Sequence, residues 1–142
     1  MRDDPRPHLL VLVVDDSRDC AESLALLVRL WGHEAVVAYD GPAALDVARA
    51  RAPDVVLLDL AMPKMDGYQL AGRLRQVAGL EEALLVAVSG HGQEADVRRC
   101  QEAGIDCHFI KPVDPEELNE LLSRYQRSAL PAATADDRDK PA

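Results

Sequence analysis

Short runs of apolar residues recur along the chain and alternate with stretches in which apolar positions fall at helical spacing. The first run, LLVLVV at 9–14, contains no polar residue. An uninterrupted run of this length is typical of a parallel strand that is buried on both faces. Later runs predict four further strands. The five predicted strands cover residues 9–14, 35–39, 54–58, 84–88 and 107–110.

A predicted helix follows each apolar run. The first helix ends before Gly32, a residue that suits the position just after a helix C-terminus. Its buried face is predicted from helical spacing to consist of Cys20, Leu24, Leu27, Val28 and Trp31. The other helices are predicted over 42–51, from Gly67, over 93–102 and from Pro115.

Five strand–helix repeats in succession predict an α/β fold. Such alternation implies a doubly wound parallel sheet with helices on both faces and right-handed crossovers. The predicted domain spans residues 8–126, after a short extension at 1–7. Residues 127–142 are rich in small, polar and Pro residues without a period, which favours a disordered tail.

Composition and charge narrow the classes of function. The chain has 142 residues, 48% of them hydrophobic, and a formal net charge of −9. An acidic protein has no general attraction to nucleic acid or anionic lipid, so neither partner is expected. No apolar stretch approaches the roughly 18 residues of a membrane span, and the N-terminus does not resemble a signal peptide. The three cysteines lack CxxC spacing, which is typical of thiols in a reducing cytoplasm.

Polar side chains stand where the predicted strands end. In an open parallel sheet, ligands bind beyond the carboxyl ends of the strands. Four of the five strands bring polar groups to that edge. These groups belong to Asp15, Asp16, Asp59, Ser89 and Lys111.

Each of these residues also has an ordinary structural explanation. Asp16 with Ser17 suits a helix cap, Asp59 and Ser89 suit turns, and Lys111 suits a solvated surface. Three neighbouring carboxylates, however, repel one another and so raise their pKa values or cost stability. A hard divalent cation removes that cost, and Mg²⁺ prefers carboxylate and carbonyl oxygens and commonly bridges to phosphate.

The same residue types suit phosphoryl transfer. A carboxylate can act as the nucleophile toward a phosphoryl group. A cation and a lysine ammonium stabilise charge on the transferring oxygens, and a hydroxyl can donate to one of them.

Four sequence motifs resemble the receiver domain of bacterial two-component response regulators, over roughly residues 8–126. The motifs are VVDDS at 13–17, LLDLAMPKMDGYQL at 57–70, VAVSGHG at 86–92 and AGIDCHFIKPVDPEEL at 103–118. The resemblance implies a flavodoxin-like (βα)5 fold with strand order 2-1-3-4-5.

The resemblance also implies a role for each matching residue. Asp59 would accept the phosphoryl group from a sensor histidine kinase or a histidine phosphotransfer protein. Asp16, Asp59 and the main-chain carbonyl of Ala61 would bind Mg²⁺, for which Mn²⁺ is expected to substitute, and Asp15 would assist through water. Ser89 and Lys111 would contact the phosphoryl group. The peptide bond before Pro112 would be cis.

Three positions in the motifs are expected to modulate the reaction. His108 stands where the family commonly has Tyr or Phe, and either it acts as the switch residue or it is a half-exposed strand-edge histidine. Ala61 and His91 occupy positions that tune loss of the phosphoryl group in the family. His91 either approaches the attacking water or is merely solvated.

The resemblance implies a stand-alone, cytoplasmic signalling domain rather than an enzyme with a separate substrate. It would promote only its own phosphotransfer and autodephosphorylation, and it would signal through residues 93–125 by protein binding or a phosphorelay.

The alternative is a pseudo-receiver that is never phosphorylated. A nucleotide-binding enzyme is disfavoured because no Gly-rich loop follows the first strand. A phosphohydrolase is disfavoured because Leu58 and Leu60, not a second acid, flank Asp59.

Overall fold

Strands and helices alternate along the chain in the computed structural model, which describes residues 8–90 and 96–128. The strands are β1 (Leu10–Val14), β2 (Glu34–Ala38), β3 (Val55–Asp59), β4 (Leu84–Ser89) and β5 (Cys107–Ile110). The helices are α1 (Arg18–Leu30), α2 (Gly41–Arg51), α3 (Gly67–Leu74), α4 (Val97–Ala103) and α5 (Pro115–Ser128).

The strands form one parallel sheet in the order β2-β1-β3-β4-β5. This arrangement confirms the flavodoxin-like α/β fold and the strand order implied by the resemblance. The chain leaves β1 toward one side to form β2 and then crosses to the other side to form β3. The crevice beyond the carboxyl ends of β1 and β3 is therefore the expected place for a ligand in such a sheet.

The central strands β1, β3 and β4 are buried on both faces, as their continuous apolar runs predict. On one face, residues such as Leu12 and Leu58 pack with side chains of α2, α3 and α4. On the other, residues such as Val13 and Leu57 pack with side chains of α1 and α5. Alternate residues of a strand point to opposite faces, so β1 and β3 contribute to both cores. Within the described part of the chain, every helix is too short or too polar to cross a bilayer.

The buried face of α1 differs from the prediction. The residues with fully buried side chains are Ala21, Ala25 and Val28, whereas Cys20, Leu24 and Leu27 are only half-buried. Helical spacing locates an apolar stripe but does not say which of its residues point at the sheet. Small alanines let the helix axis approach the strands closely, and the larger side chains flank the contact.

The start of α4 also differs from the prediction of a helix over 93–102. Asp96 is extended, and its side chain accepts a hydrogen bond from Arg99 N–H, so the helix begins at Val97. Gly104 ends it in a left-handed conformation, with φ of 84°, which favours glycine. Residues 91–95 lie outside the described residues, as do residues 1–7 and 129–142, where the extension and most of the tail were predicted.

His33 links the end of α1 to the start of β1. Its side chain is buried, and its Nδ1 accepts a hydrogen bond from Leu9 N–H at 3.1 Å. Burial lowers the pKa of His33 below its ordinary value of 6.5, and the charge of His8 lowers it further. The folded protein therefore favours the neutral imidazole, because a protonated Nδ1 could not accept this hydrogen bond.

Mild acid should destabilise the fold through His33. Just below pH 6.5, the unfolded chain binds a proton at His33 that the folded protein does not, so the free energy of unfolding falls as the pH falls. In His33→Asn, Oδ1 can accept the same hydrogen bond without titrating. We expect urea unfolding between about pH 5 and 7 to show a flatter pH dependence for this variant. Equal slopes for the two proteins would contradict the assignment.

Candidate functional site

Three carboxylates meet at the crevice between β1 and β3. Asp15 and Asp16 follow β1, and Asp59 is the last residue of β3. One oxygen from each of the three side chains lies within 4.8 Å of the others. Asp15 and Asp59 are buried, with relative exposures of 2% and 6%, whereas Asp16 is exposed. The site therefore has an enclosed floor and an open side.

Backbone N–H groups hold the two buried carboxylates. Ser17 N–H donates to Asp15 Oδ1 at 2.9 Å, and Ala61 N–H donates to Asp59 Oδ1 at 3.0 Å. Each donor lies two residues after its acceptor, which is the local geometry that Asp readily adopts in a turn. One oxygen of each carboxylate is thereby fixed, and the other is directed into the site.

Lys111 supplies the positive charge for these free oxygens. Its Nζ lies 2.8 Å from Asp15 Oδ2 and 3.6 Å from Asp59 Oδ2. Burial by itself lowers the pKa of Lys111, but the hydrogen bond and charge of Asp15, together with the charge of Asp59, raise it above its ordinary value. The ammonium form is therefore held in place. Lys111 N–H also donates to Ser89 O at 2.8 Å, and the Lys111–Pro112 peptide bond is cis.

Asp59 remains electrostatically unfavourable despite this lysine. Burial raises its pKa, the Ala61 N–H opposes that effect, and the charge of Asp15 raises the pKa further against the opposing charge of Lys111. The net pKa lies above the ordinary value of 3.8. Lys111 and the Ala61 N–H thus do not fully offset the burial of Asp59 and the charge of Asp15.

Gly67 allows the loop after β3 to fold back over the site. Its N–H donates to Leu60 O at 3.0 Å, and a Cβ at this position would lie 2.6 Å from Asp59 O and 2.7 Å from Leu60 Cα. A larger residue would therefore displace the backbone that carries Asp59. Asp66 caps α3 through a capping box with Gln69, which fixes the end of the same loop.

Ser89 and His108 form a second part of the site. Ser89 ends β4 with 1% exposure, and its Oγ lies 2.8 Å from Nε2 of the exposed His108 ring. Residue types and order along the chain do not show this contact, because it depends on the register between β4 and β5.

The structure thus brings Asp15, Asp16, Asp59 and Lys111 together and places Ser89 at the end of the neighbouring strand. Ala61 is exposed beside Asp59, and its N–H, rather than its carbonyl, makes the described contact with that side chain. His91 lies outside the described residues. The ion pair between Lys111 and Asp15 was not foreseen, although two opposite charges predicted at one sheet edge were a signal for it.

The donor set fits a hard divalent cation. All three side chains offer oxygen, which is the ligand type that Mg²⁺ prefers, and an exposed side leaves room for the waters that Mg²⁺ usually retains. A divalent charge would also oppose the burial and the Asp15 charge that keep the pKa of Asp59 raised.

Comparison with known proteins gives consistent matches. The family model of the response regulator receiver domain matches residues 11–123. An uncharacterized 14.6 kDa protein of Leptolyngbya boryana is 33% identical over 81% of this chain and 88% of its own length. Sensor histidine kinase RcsC of Salmonella typhi is 37% identical over 86% of this chain, which is only 13% of the kinase. Chemotaxis protein CheY4 of Vibrio cholerae has a TM-score of 0.78 at 25% identity, covering 84% of this chain and 99% of that one.

Removing the charge of Asp59 should stabilise the metal-free protein at neutral pH. The folded protein holds the Asp59 proton more tightly than the unfolded chain, so ionised Asp59 lowers the free energy of unfolding as the pH rises above 3.8. We expect Asp59→Asn to melt about 2–5 °C higher than the natural protein at pH 7 in EDTA, with the difference shrinking toward pH 4.

The matched control is Asp46→Asn, which changes an exposed carboxylate on α2. This control should show no comparable gain. Mg²⁺ should raise the melting temperature of the natural protein more than that of Asp59→Asn. Equal or lower melting of Asp59→Asn in EDTA at pH 7 would contradict the inference that burial and the charge of Asp15 make ionised Asp59 unfavourable.

Proposed function

Because this chain belongs to the response regulator receiver domain family of bacterial two-component systems, we propose that it accepts a phosphoryl group on Asp59 in a Mg²⁺-dependent reaction. The observation that carries the proposal is the position of Asp59. Its carboxylate lies within 4.8 Å of two others and 3.6 Å from a lysine ammonium. A nucleophilic carboxylate beside an ammonium and an oxygen-rich site that fits a divalent cation suits phosphoryl transfer.

The proposed metal ligands are Asp16, Asp59 and the main-chain carbonyl of Ala61, with Asp15 assisting through water. Mn²⁺ should substitute, because it accepts the same oxygen ligands. When bound, the cation would neutralise the carboxylates and withdraw charge from the phosphoryl oxygens. The exposure of Asp16 supports this assignment, since the metal can enter from its side.

The transfer step needs no separate base. An Asp59 carboxylate oxygen attacks phosphorus, the new O–P bond forms as the N–P bond of the donor phosphohistidine breaks, and the imidazole nitrogen takes the electron pair. Lys111 already lies between Asp15 and Asp59, so a small movement lets its ammonium pair with a phosphoryl oxygen. Ser89, at the end of the adjacent strand, would donate a hydrogen bond to another.

Loss of the phosphoryl group is proposed to be governed by access of water to Asp59. The side chain of Ala61 is small and exposed, and such a residue leaves the approach to the acyl phosphate open. We propose that Ala61 permits hydrolysis in this way and that His91 modulates it.

The proposed phosphoryl donor is a sensor histidine kinase or a histidine phosphotransfer protein, and the protein itself would act as a cytoplasmic, stand-alone receiver domain over residues 8–126. Its output would be protein binding or onward phosphotransfer through residues 93–125. Exposed Val97 and Ile110 on that surface support a protein partner, with relative exposures of 68% and 55%. The net charge of −9 supports a partner other than nucleic acid or a membrane surface.

Phosphorylation by a small donor tests the proposal directly. Acetyl phosphate or phosphoramidate with Mg²⁺ should modify the protein at one site, seen as a shift in a phosphate-retarding gel. Asp59→Ala should abolish the shift because it removes the nucleophile, and EDTA should abolish it because it removes the metal. Asp46→Asn is the matched control and should shift normally.

Two outcomes would contradict the proposal. A shift that persists in Asp59→Ala would place the phosphoryl group elsewhere. Absence of any shift in the natural protein, with no effect of Mg²⁺ on its stability, would instead favour a pseudo-receiver that acts only as an interaction module.

A further inference from the structure

The hydrogen bond between Ser89 and His108 constrains a hydroxyl that the proposed function requires. Ser89 Oγ lies 2.8 Å from His108 Nε2. Ser89 is 1% exposed, so solvent does not readily replace this partner. The inference developed from this contact rests on the proposed function, because it concerns how Ser89 would meet a phosphoryl group on Asp59.

Strand register explains why these two side chains meet. His108 pairs with Ala87 across β4 and β5, and Ala87 and Ser89 lie on the same face of β4 because side chains alternate along a strand. Ser89 is therefore the diagonal neighbour of His108 toward the carboxyl edge of the sheet. The small, buried Ala87 leaves space for the imidazole to extend past it.

The direction of the hydrogen bond determines what Ser89 can do. A serine hydroxyl has one proton to donate and two lone pairs that accept. If Nε2 carries no proton, Ser89 donates to it and has no proton left for another acceptor. If Nε2 carries a proton, His108 donates to Ser89, and the hydroxyl proton remains available. The tautomer of His108 therefore decides whether Ser89 is a usable donor.

We propose that His108 is a positioning residue whose Nε2–H donates to Ser89 Oγ and thereby directs the Ser89 hydroxyl proton to the phosphoryl group on Asp59. The Nε2–H tautomer and the imidazolium form both satisfy this arrangement. In this arrangement His108 acts through Ser89 and not by contact with the phosphoryl group. Because His108 donates, the buried Ser89 hydroxyl does not donate its only proton to the ring.

Two substitutions at His108 separate its hydrogen bond from its bulk. Glutamine places an amide nitrogen the same number of bonds from Cα as Nε2, so His108→Gln retains a donor. Phenylalanine keeps a planar ring but cannot donate. His108→Phe is therefore the matched variant that loses the hydrogen bond. Because His108 is exposed, both variants are expected to fold, and their melting curves verify this.

Beryllofluoride, which mimics the phosphoryl group on a carboxylate, provides the binding measurement. With Mg²⁺ present, fluorine NMR or calorimetry should show that His108→Phe binds it about three- to tenfold more weakly than the natural protein. His108→Gln should bind within about twofold. In a Ser89→Ala background, His108→Phe should cause no further loss, because the hydroxyl that it orients is absent.

The ring of the natural protein offers a second readout that needs no variant. Nitrogen chemical shifts of His108 should report a proton on Nε2 in the beryllofluoride complex. An unprotonated Nε2 in the complex would overturn the proposal, as would equal beryllofluoride affinity for His108→Phe and the natural protein, or an equal loss with and without Ser89.

Failure of this inference is distinguishable from failure of the proposed function. If the natural protein binds beryllofluoride with Mg²⁺ and His108→Phe binds it equally well, only the positioning role of His108 is overturned. If the natural protein neither binds beryllofluoride nor is phosphorylated at Asp59, the function itself is overturned and the positioning role with it.

Discussion

The repulsion among three carboxylates at one edge of the sheet is the constraint on which the site depends. Asp15 and Asp59 are buried, and Asp16 completes a set of oxygens within 4.8 Å. Removing like charges from water and holding them together is unfavourable unless positive groups compensate. Nearby residues of the same chain partly compensate the negative charge through two backbone N–H groups and the ammonium of Lys111. Burial and the charge of Asp15 still hold the pKa of Asp59 above its ordinary value, and a divalent cation can supply the positive charge that is missing.

The fold makes this unfavourable arrangement tolerable by separating it from the core. Apolar side chains on both faces of β1 and β3 fix the strands. The acidic residues Asp15, Asp16 and Asp59 lie only at or just after the ends of these strands. Crossing from β2 back to β3 brings the ends of β1 and β3 side by side. Gly67 then permits the loop between β3 and α3 to approach Asp59 more closely than any residue with a Cβ would allow. Stability thus resides in the sheet, and chemical reactivity resides in the loops at one edge.

The sequence predicts the sheet better than it predicts individual contacts. Continuous apolar runs identify buried parallel strands because few other structures bury every side chain of a segment. Spacing on α1, in contrast, located the stripe but not the alanines that touch the sheet. The polar residues at strand ends could be found from their order alone. The pairing of Lys111 with Asp15 and of His108 with Ser89 could not, because both contacts depend on register and side-chain reach between strands that are distant in the chain.

Locating the phosphoryl group chemically tests the central claim most directly. Borohydride reduces an aspartyl phosphate to homoserine, and tandem mass spectrometry then identifies the converted residue. After treatment with acetyl phosphate and Mg²⁺, homoserine should appear at position 59, and omission of Mg²⁺ should suppress it, because the uncompensated carboxylates repel the incoming dianion. Homoserine at a different acidic residue, or equal conversion of Asp59 without a divalent cation, would contradict the account of this site.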